Sequence, residues 1–251
     1  MANTKETVGF LGTAIVLHGW SYNTEKWGPF INGLRKAGFG VIFPKVPGLT
    51  QPTNKVLTLD NYVDWLTKIV DGVKQPLYLI GHSNGGRIAL AYTSVYQEKI
   101  TGLVLIDSAE VSSQNLARRL KKFIFGSLAK IGKPLSGVSV VRNLFYKVLG
   151  EEDYNQANPI MKKTMVNLMS IDLTGKLEKI KLPTLIVWGR LDKITPLADG
   201  QKLNQLIKNS SFVVIEEARH SPQFSNPQQV IGTIIKFVKN LSWYESKYSR
   251  R

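Results

Sequence analysis

The chain has 251 residues, 43% of them apolar, with 33 Lys and Arg against 18 Asp and Glu for a formal charge of +15. That length suits one large domain or two small ones, and an apolar fraction just under the globular norm of about 45–50% is enough for a packed core, so disorder as the main state is excluded. With no cysteine and three histidines, a disulfide scaffold, thiol catalysis and thiolate-bound zinc are excluded, and no cofactor or metal is expected.

The first apolar run, Ala14-Ile15-Val16-Leu17, falls far short of the roughly 18 residues of a membrane span and has no basic or small-residue flanks, so the expected compartment is the cytoplasm. It lies in a predicted strand, Thr13–His18, followed by Gly19-Trp20. A helical pattern over Trp27–Ala37, a strand over Gly40–Phe43 and the loop Pro44-Lys45-Val46-Pro47-Gly48 come next. Leu59–Val73 places Val63, Leu66, Ile69 and Val70 at helical spacing. The strand Leu77–Ile80 runs into Gly81-His82-Ser83-Asn84-Gly85-Gly86, which opens a helix reaching Tyr96, and Leu103–Asp107 reads as the next strand. Between Ala109 and Leu182 the periodicity changes over a stretch too long for a connecting loop, which predicts a helical insertion. Strands at Thr184–Trp188 and Phe212–Glu216 alternate with helices at Leu197–Ile207 and Pro227–Leu241. This alternation predicts a mostly parallel sheet covered on both faces.

Gly81-His82-Ser83-Asn84-Gly85 fits the G-x-S-x-G pattern in the strand–turn–helix context that the pattern requires. A serine on so sharp a turn brings the residues two before and two after it into near contact, and only glycine fits there. A serine hydroxyl needs a base, and three histidines are on offer. His82 adjoins Ser83, so its side chain points to the other face and it is expected to pack beneath the turn. His18 suits the holding of a loop. His220 lies just past the last strand, at the sheet edge where an open parallel sheet builds its site, and is the expected base. The acid that orients it is expected to be Asp192, in the loop after Thr184–Trp188, with Asp107 as competitor because it emerges on the same edge. Oxyanion donors are expected from the amides of Asn84, at a helix N-terminus, and of Trp20, whose ring would also wall the pocket.

On these residues the chain resembles the α/β-hydrolase fold family, in its capped serine-esterase branch, from about Thr13 to Leu241. The motifs are His18-Gly19-Trp20, Gly81-His82-Ser83-Asn84-Gly85-Gly86, Leu182-Pro183-Thr184 with Asp192 and Pro196, and Ala218-Arg219-His220. The resemblance implies an α/β-hydrolase core over 1–108 and 183–251, with a helical cap, 109–182, inserted before the penultimate strand. It also implies Ser83, Asp192 and His220 as nucleophile, acid and base. The family's usual antiparallel hairpin at the first sheet edge is expected to be reduced to one strand or absent. A serine at the turn argues against the branches that use a carboxylate nucleophile.

The charge is regional: residues 1–108 carry 10 basic and 7 acidic groups, residues 109–182 carry 13 and 6, and residues 183–251 carry 10 and 5. Within the insertion, Asn115–Ile131 reads as a basic amphipathic helix whose apolar side, including Phe123, would cover the pocket and touch substrate. Met161, Met165, Leu168 and Met169 repeat at helical spacing and read as core. The expected function is hydrolysis of a carboxylic ester or thioester, anionic or delivered by an acidic carrier protein, through an acyl-enzyme. Alternatives are carbon–carbon bond hydrolysis with the same triad and a ligand-binding protein with a vestigial triad. Peripheral membrane contact is a lesser reading of the basic insertion, and no specific nucleic-acid partner is expected, for want of a recognition motif.

Overall fold

The computed structural model describes residues 9–109 and 157–248, the last seven as backbone only. The expected basic helix at Asn115–Ile131 and Phe123 lie outside the described residues. Six strands form one sheet: β1 (Gly12–Leu17), β2 (Phe39–Ile42), β3 (Leu77–His82), β4 (Gly102–Ile106), β5 (Thr184–Gly189) and β6 (Ser210–Ile215). Their order is β2-β1-β3-β4-β5-β6 and every pairing is parallel. No antiparallel strand occurs among the described residues.

The sheet is built this way because its central strands are apolar on both sides. Side chains alternate across a strand, so Ile15, Leu17, Leu77, Leu79, Leu103, Leu105, Ile186 and Trp188 enter one core and Ala14, Val16, Tyr78, Ile80, Val104, Ile106, Leu185 and Val187 the other. The first core is covered by α2 (Leu59–Val70), α3 (Asn84–Tyr96) and α6 (Leu197–Leu206). The second takes Phe30, Ile31 and Leu34 of α1 (Gly28–Lys36) and Val230, Ile234 and Val238 of α8 (Pro227–Tyr248). The edge strands β2 and β6 are only half buried, as strands with one neighbour must be.

Of the stretch 109–182, expected as an insertion, the described part contributes α4 (Pro159–Ser170) and the single turn α5 (Thr174–Leu177). Asn158 caps α4 by accepting the Met161 amide at 2.9 Å. Met161, Met165 and Leu168 are buried in the first core together with Trp20, while Met169 packs half-buried against it. The helix is tied across the chain by the Leu57 amide, which donates to Thr164 Oγ1 at 3.0 Å. No helix among the described residues is long and apolar enough to cross a membrane.

Strand order sets where chemistry can occur. β2 lies on one side of β1 and β3 on the other, so the connections leave β1 in opposite directions and open a crevice at the carboxyl ends of β1 and β3. His18-Gly19-Trp20 follows β1 and Ser83 follows β3, one on each lip of that crevice.

Candidate active site

Ser83 has φ 52° and ψ −119°, a left-handed conformation strained for any residue but glycine, on the turn from β3 into α3. A Cβ on Gly81 would stand 2.6 Å from both the Gly85 carbonyl oxygen and Gly86 Cα, and one on Gly85 would strike the main chain of Leu17 and His18. The turn therefore closes only with glycine at both positions. Its amide donates to Ile106 O at 3.1 Å, and its carbonyl accepts the amides of Arg87 and Ala109. These bonds fix the serine to β4 as well as to its own helix.

Two further loops converge on this turn. After β5 the chain runs to Asp192, and after β6 it turns at Ala218 toward His220. The loops meet through Leu191 N to Ala218 O at 2.9 Å and Arg190 N to Ile215 O at 3.0 Å. They can do so because Gly189 has no side chain, where a Cβ would meet Ala218 O at 2.7 Å. An exposed ion pair between Arg190 and Glu216 spans the same two loops.

His220 Nδ1–H donates to Asp192 Oδ2 at 2.8 Å, which leaves Nε2 as the acceptor for the Ser83 hydroxyl, 3.0 Å away. Three side chains from three strands thus form one continuous hydrogen-bonded chain. Asp192 also receives the amides of Ile194 and Thr195 at 2.7 and 3.0 Å and the Thr195 hydroxyl at 2.6 Å. Burial by itself would raise the Asp192 carboxyl. The His220 hydrogen bond and charge, with Thr195 and the Ile194 amide, outweigh that and hold it below the usual carboxylate range.

Asp107, the competing acid, is wholly buried at the end of β4 and makes no hydrogen bond to His220. Its Oδ1 accepts the Gly189 amide at 2.8 Å. Burial, reinforced by the Asp192 charge, raises its pKa well above the ordinary carboxyl value. His82 is packed under the turn as its position predicts, against Trp27, Phe224 and His220. Its Nε2–H also donates to the main-chain carbonyl of His220 at 2.7 Å. Burial, with the neighbouring His220, pulls the His82 pKa down to about 3, so it is a neutral support. One ring nitrogen each of His82 and His220 and one oxygen of Asp107 lie within 4.8 Å of one another. Both nitrogens of His220 and Nε2 of His82 already have partners, which leaves this cluster few free lone pairs for a cation.

His18 holds a loop, as expected: its Nε2 meets Thr50 Oγ1 at 3.1 Å, and Thr50 Oγ1 accepts the Val46 amide at 2.8 Å. Its Nδ1–H donates to Gly19 O at 2.8 Å. In a trans peptide the C=O and the following N–H point in opposite directions, so this bond turns the Trp20 amide away from the His18 ring. Asn84 is the first residue of α3, and its N–H lies outside the helical ladder.

Two supporting residues escape sequence reading. Thr195 had a signal: an Asp two and three residues before free amides, as in Asp192-Lys193-Ile194-Thr195, is an Asx turn. Arg87 had none. It is 4% exposed, and its guanidinium donates to Leu168 O, Ile171 O and Ala109 O at 2.7, 3.1 and 2.6 Å. It thereby binds α3 to Ala109 and to the C-terminal end of α4.

The family model for the alpha/beta hydrolase fold matches residues 14–227. A monoacylglycerol lipase of Homo sapiens is 26% identical over 93% of this chain and 77% of the relative. A pimeloyl-[acyl-carrier protein] methyl ester esterase of Aeromonas hydrophila is 26% identical over 89% of this chain and 94% of its own. Among solved structures, a thermophilic esterase from Thermogutta terrifontis superposes with a TM-score of 0.69 at 22% identity, covering 93% of this chain and 92% of that one.

Proposed function

Since this chain belongs to the alpha/beta hydrolase fold family and is a hydrolase, we propose that it cleaves a carboxylic ester or thioester with an apolar acyl part, with Ser83 as nucleophile, His220 as general base and Asp192 as the orienting acid. The observation that carries this reading is the unbroken chain from Ser83 Oγ to His220 Nε2 at 3.0 Å and from Nδ1 to Asp192 at 2.8 Å. A pure binding protein has no use for it, nor for a strained serine.

The steps follow from the geometry. Ser83 transfers its hydroxyl proton to His220 Nε2 as its oxygen attacks the substrate carbonyl, and the Asp192 charge stabilises the imidazolium that forms. Negative charge then develops on the carbonyl oxygen. The Trp20 amide, aimed by the His18–Gly19 bond, and the Asn84 amide, at the positive end of α3, receive it; such donors are worth about 3–4 kcal/mol each in barrier height. The imidazolium returns its proton to the leaving alcohol or thiol, and a water activated by the same ring then releases the acid from Ser83.

The insertion at 109–182 acts in this reading as the cap. Its described part lays Met161, Met165 and Leu168 into the core that holds Trp20, giving the acyl chain an apolar surround. Its excess of 13 basic over 6 acidic residues would draw an anionic substrate or an acidic carrier protein to the entrance. Both named relatives act on carboxylic esters according to their names, which supports the ester class.

A p-nitrophenyl ester series of increasing acyl length tests the reading. Wild type is expected to turn over and to label at Ser83 with a fluorophosphonate, while Ser83→Ala loses about 10⁴-fold or more in kcat. Equal rates for the two proteins would defeat it. A β-diketone-type substrate in the same panel distinguishes carbon–carbon bond hydrolysis.

A further inference from the structure

We propose that the pocket beside Ser83 selects an acyl group whose apolar chain carries a neutral oxygen acceptor, a keto or ether oxygen, at its third or fourth position, and that the side chains of Trp20 and Asn84 bind that oxygen. The inference rests on the ester-hydrolase reading above and narrows its acyl part.

Both side chains end in a buried donor that nothing accepts. Trp20 and Asn84 are each 8% exposed, and Trp20 Nε1 and Asn84 Nδ2 are buried without a hydrogen-bond partner. Buried polar groups are paired in the great majority of cases, and a stranded one costs the full penalty of its lost water. A phenylalanine at position 20 and an apolar residue at position 84 would avoid that cost. An indole N–H is a donor only, and Nδ2 offers two hydrogens, so the missing partner is an acceptor.

The fold brings the two donors together next to the reacting groups. β1 and β3 pair in parallel with Leu17 opposite Gly81. Carried on by three residues, that register sets Gly19 level with Ser83 and Trp20 level with Asn84, about 4.8 Å apart as neighbouring strands are. The loop agrees, since a Cβ on Gly19 would stand 3.0 Å from Ser83 Cβ. Both side chains turn to the same side of the sheet. Trp20 lies in the first core with Met161, Met165 and Leu168 of α4. Asn84 shares a face of α3 with Arg87 and Ile88, three and four residues on. Ile88 belongs to that core, and Arg87 donates to Leu168 O.

Covalent geometry sets the distance to the chemistry. Four bonds separate the Asn84 amide nitrogen from Nδ2 and five separate the Trp20 amide nitrogen from Nε1. At about 1.3–1.5 Å per bond, each donor lies within roughly 4–6 Å of an amide assigned above to the oxyanion. An extended acyl chain brings its third or fourth atom within hydrogen-bond reach of such donors. The oxygen is neutral because both donors are uncharged, and the Asp192 carboxylate behind His220 would repel an anionic group.

The experiment compares p-nitrophenyl 3-methoxypropanoate with p-nitrophenyl pentanoate, the same chain with a methylene in place of the ether oxygen, on the full protein. Each kcat/KM is divided by the hydroxide-catalysed rate of the same ester, which removes inductive differences. Wild type is expected to favour the ether by about tenfold, Trp20→Phe and Asn84→Leu each to cut that preference about threefold, and the double variant to abolish it. Because the readout is a ratio within one protein, a general loss from moving the oxyanion amides cancels. A wild-type ratio near one, as when a water serves both donors, or a preference that the double variant keeps, overturns the proposal. Should the double variant fold poorly, wild type is labelled at Ser83 with p-nitrophenyl esters of butylphosphonate and of 2-methoxyethylphosphonate. The indole N–H resonance of Trp20, identified by its loss in Trp20→Phe, is expected to move downfield in the ether adduct alone, and equal positions in the two adducts overturn the proposal. If wild type hydrolyses neither ester and Ser83 takes no phosphonate, the ester reading fails and this inference with it, whereas equal normalised rates on both esters sink the inference alone.

Discussion

Replacing Arg87 by Met tests whether α3 is clasped to Ala109 and to the end of α4 through one buried side chain. The guanidinium is buried, lies one helical turn beyond Ser83, and donates to three main-chain carbonyls at 2.6–3.1 Å. Methionine fills much of the same volume but donates nothing. The Leu168 carbonyl keeps its bond from the Ile171 amide, so the loss concentrates on the carbonyls of Ala109 and Ile171. Both carbonyls are half-buried, so stranding them costs toward the low end of about 1–3 kcal/mol each, and relief from burying a guanidinium offsets part of this, which leaves a net destabilisation of about 1–3 kcal/mol. For a chain of this size, 1 kcal/mol shifts Tm by about 2–4 °C, so the expected drop is roughly 2–12 °C by calorimetry. Arg87→Lys should fall between, because one ammonium cannot reach acceptors on both sides. Limited proteolysis should cut the Arg87→Met protein first near residues 157–171, and ester turnover should fall with it. A Tm within 2 °C of wild type and undiminished turnover would refute the clasp.

Two further outcomes follow from the same geometry. His82 is neutral down to about pH 3 when folded but takes up a proton near its ordinary value of 6.5 when unfolded. Its contribution is therefore complete above about pH 6.5 and lost as pH falls through that window, at about 1.4 kcal/mol per unit. Urea midpoints between pH 4.5 and 7 should show wild type losing stability toward acid faster than His82→Gln, and parallel curves would count against a neutral buried imidazole. For Gly81→Ala, the new Cβ would sit 2.6 Å from two main-chain atoms, about 0.9 Å inside ordinary contact. No side-chain rotation relieves that, so the variant should lose about 1–3 kcal/mol of stability and roughly tenfold to a hundredfold in kcat from displacement of Ser83. Wild-type turnover in a well-folded Gly81→Ala protein would show that the turn tolerates more than its geometry suggests.

The amino-acid sequence by itself determined what depends on near neighbours. The glycines around Ser83 are legible because their demand is steric and acts over four residues. The strands are legible because residues buried on both faces leave continuous apolar runs, and the observed bounds of β1, β3, β4 and β5 fall within two residues of the expected ones. With no cysteine and three histidines, elimination leaves His220 as the expected base. What only the tertiary structure decided depends on strand order. Ser83 and His220 are 137 residues apart, and Asp192 lies 28 from His220. Both Asp107 and Asp192 emerge on the correct edge, and the sequence favours Asp192, in the loop after β5, without showing which carboxylate the imidazole meets. That choice came from the approach of Ala218 to Gly189, which brings the Asp192 and His220 loops together above β4. Arg87 makes the same point, since in sequence it is simply the one charged residue of its helix. Its partners are carbonyls 22, 81 and 84 residues away, and every residue carries a carbonyl, so sequence holds no mark of which ones a buried guanidinium will find.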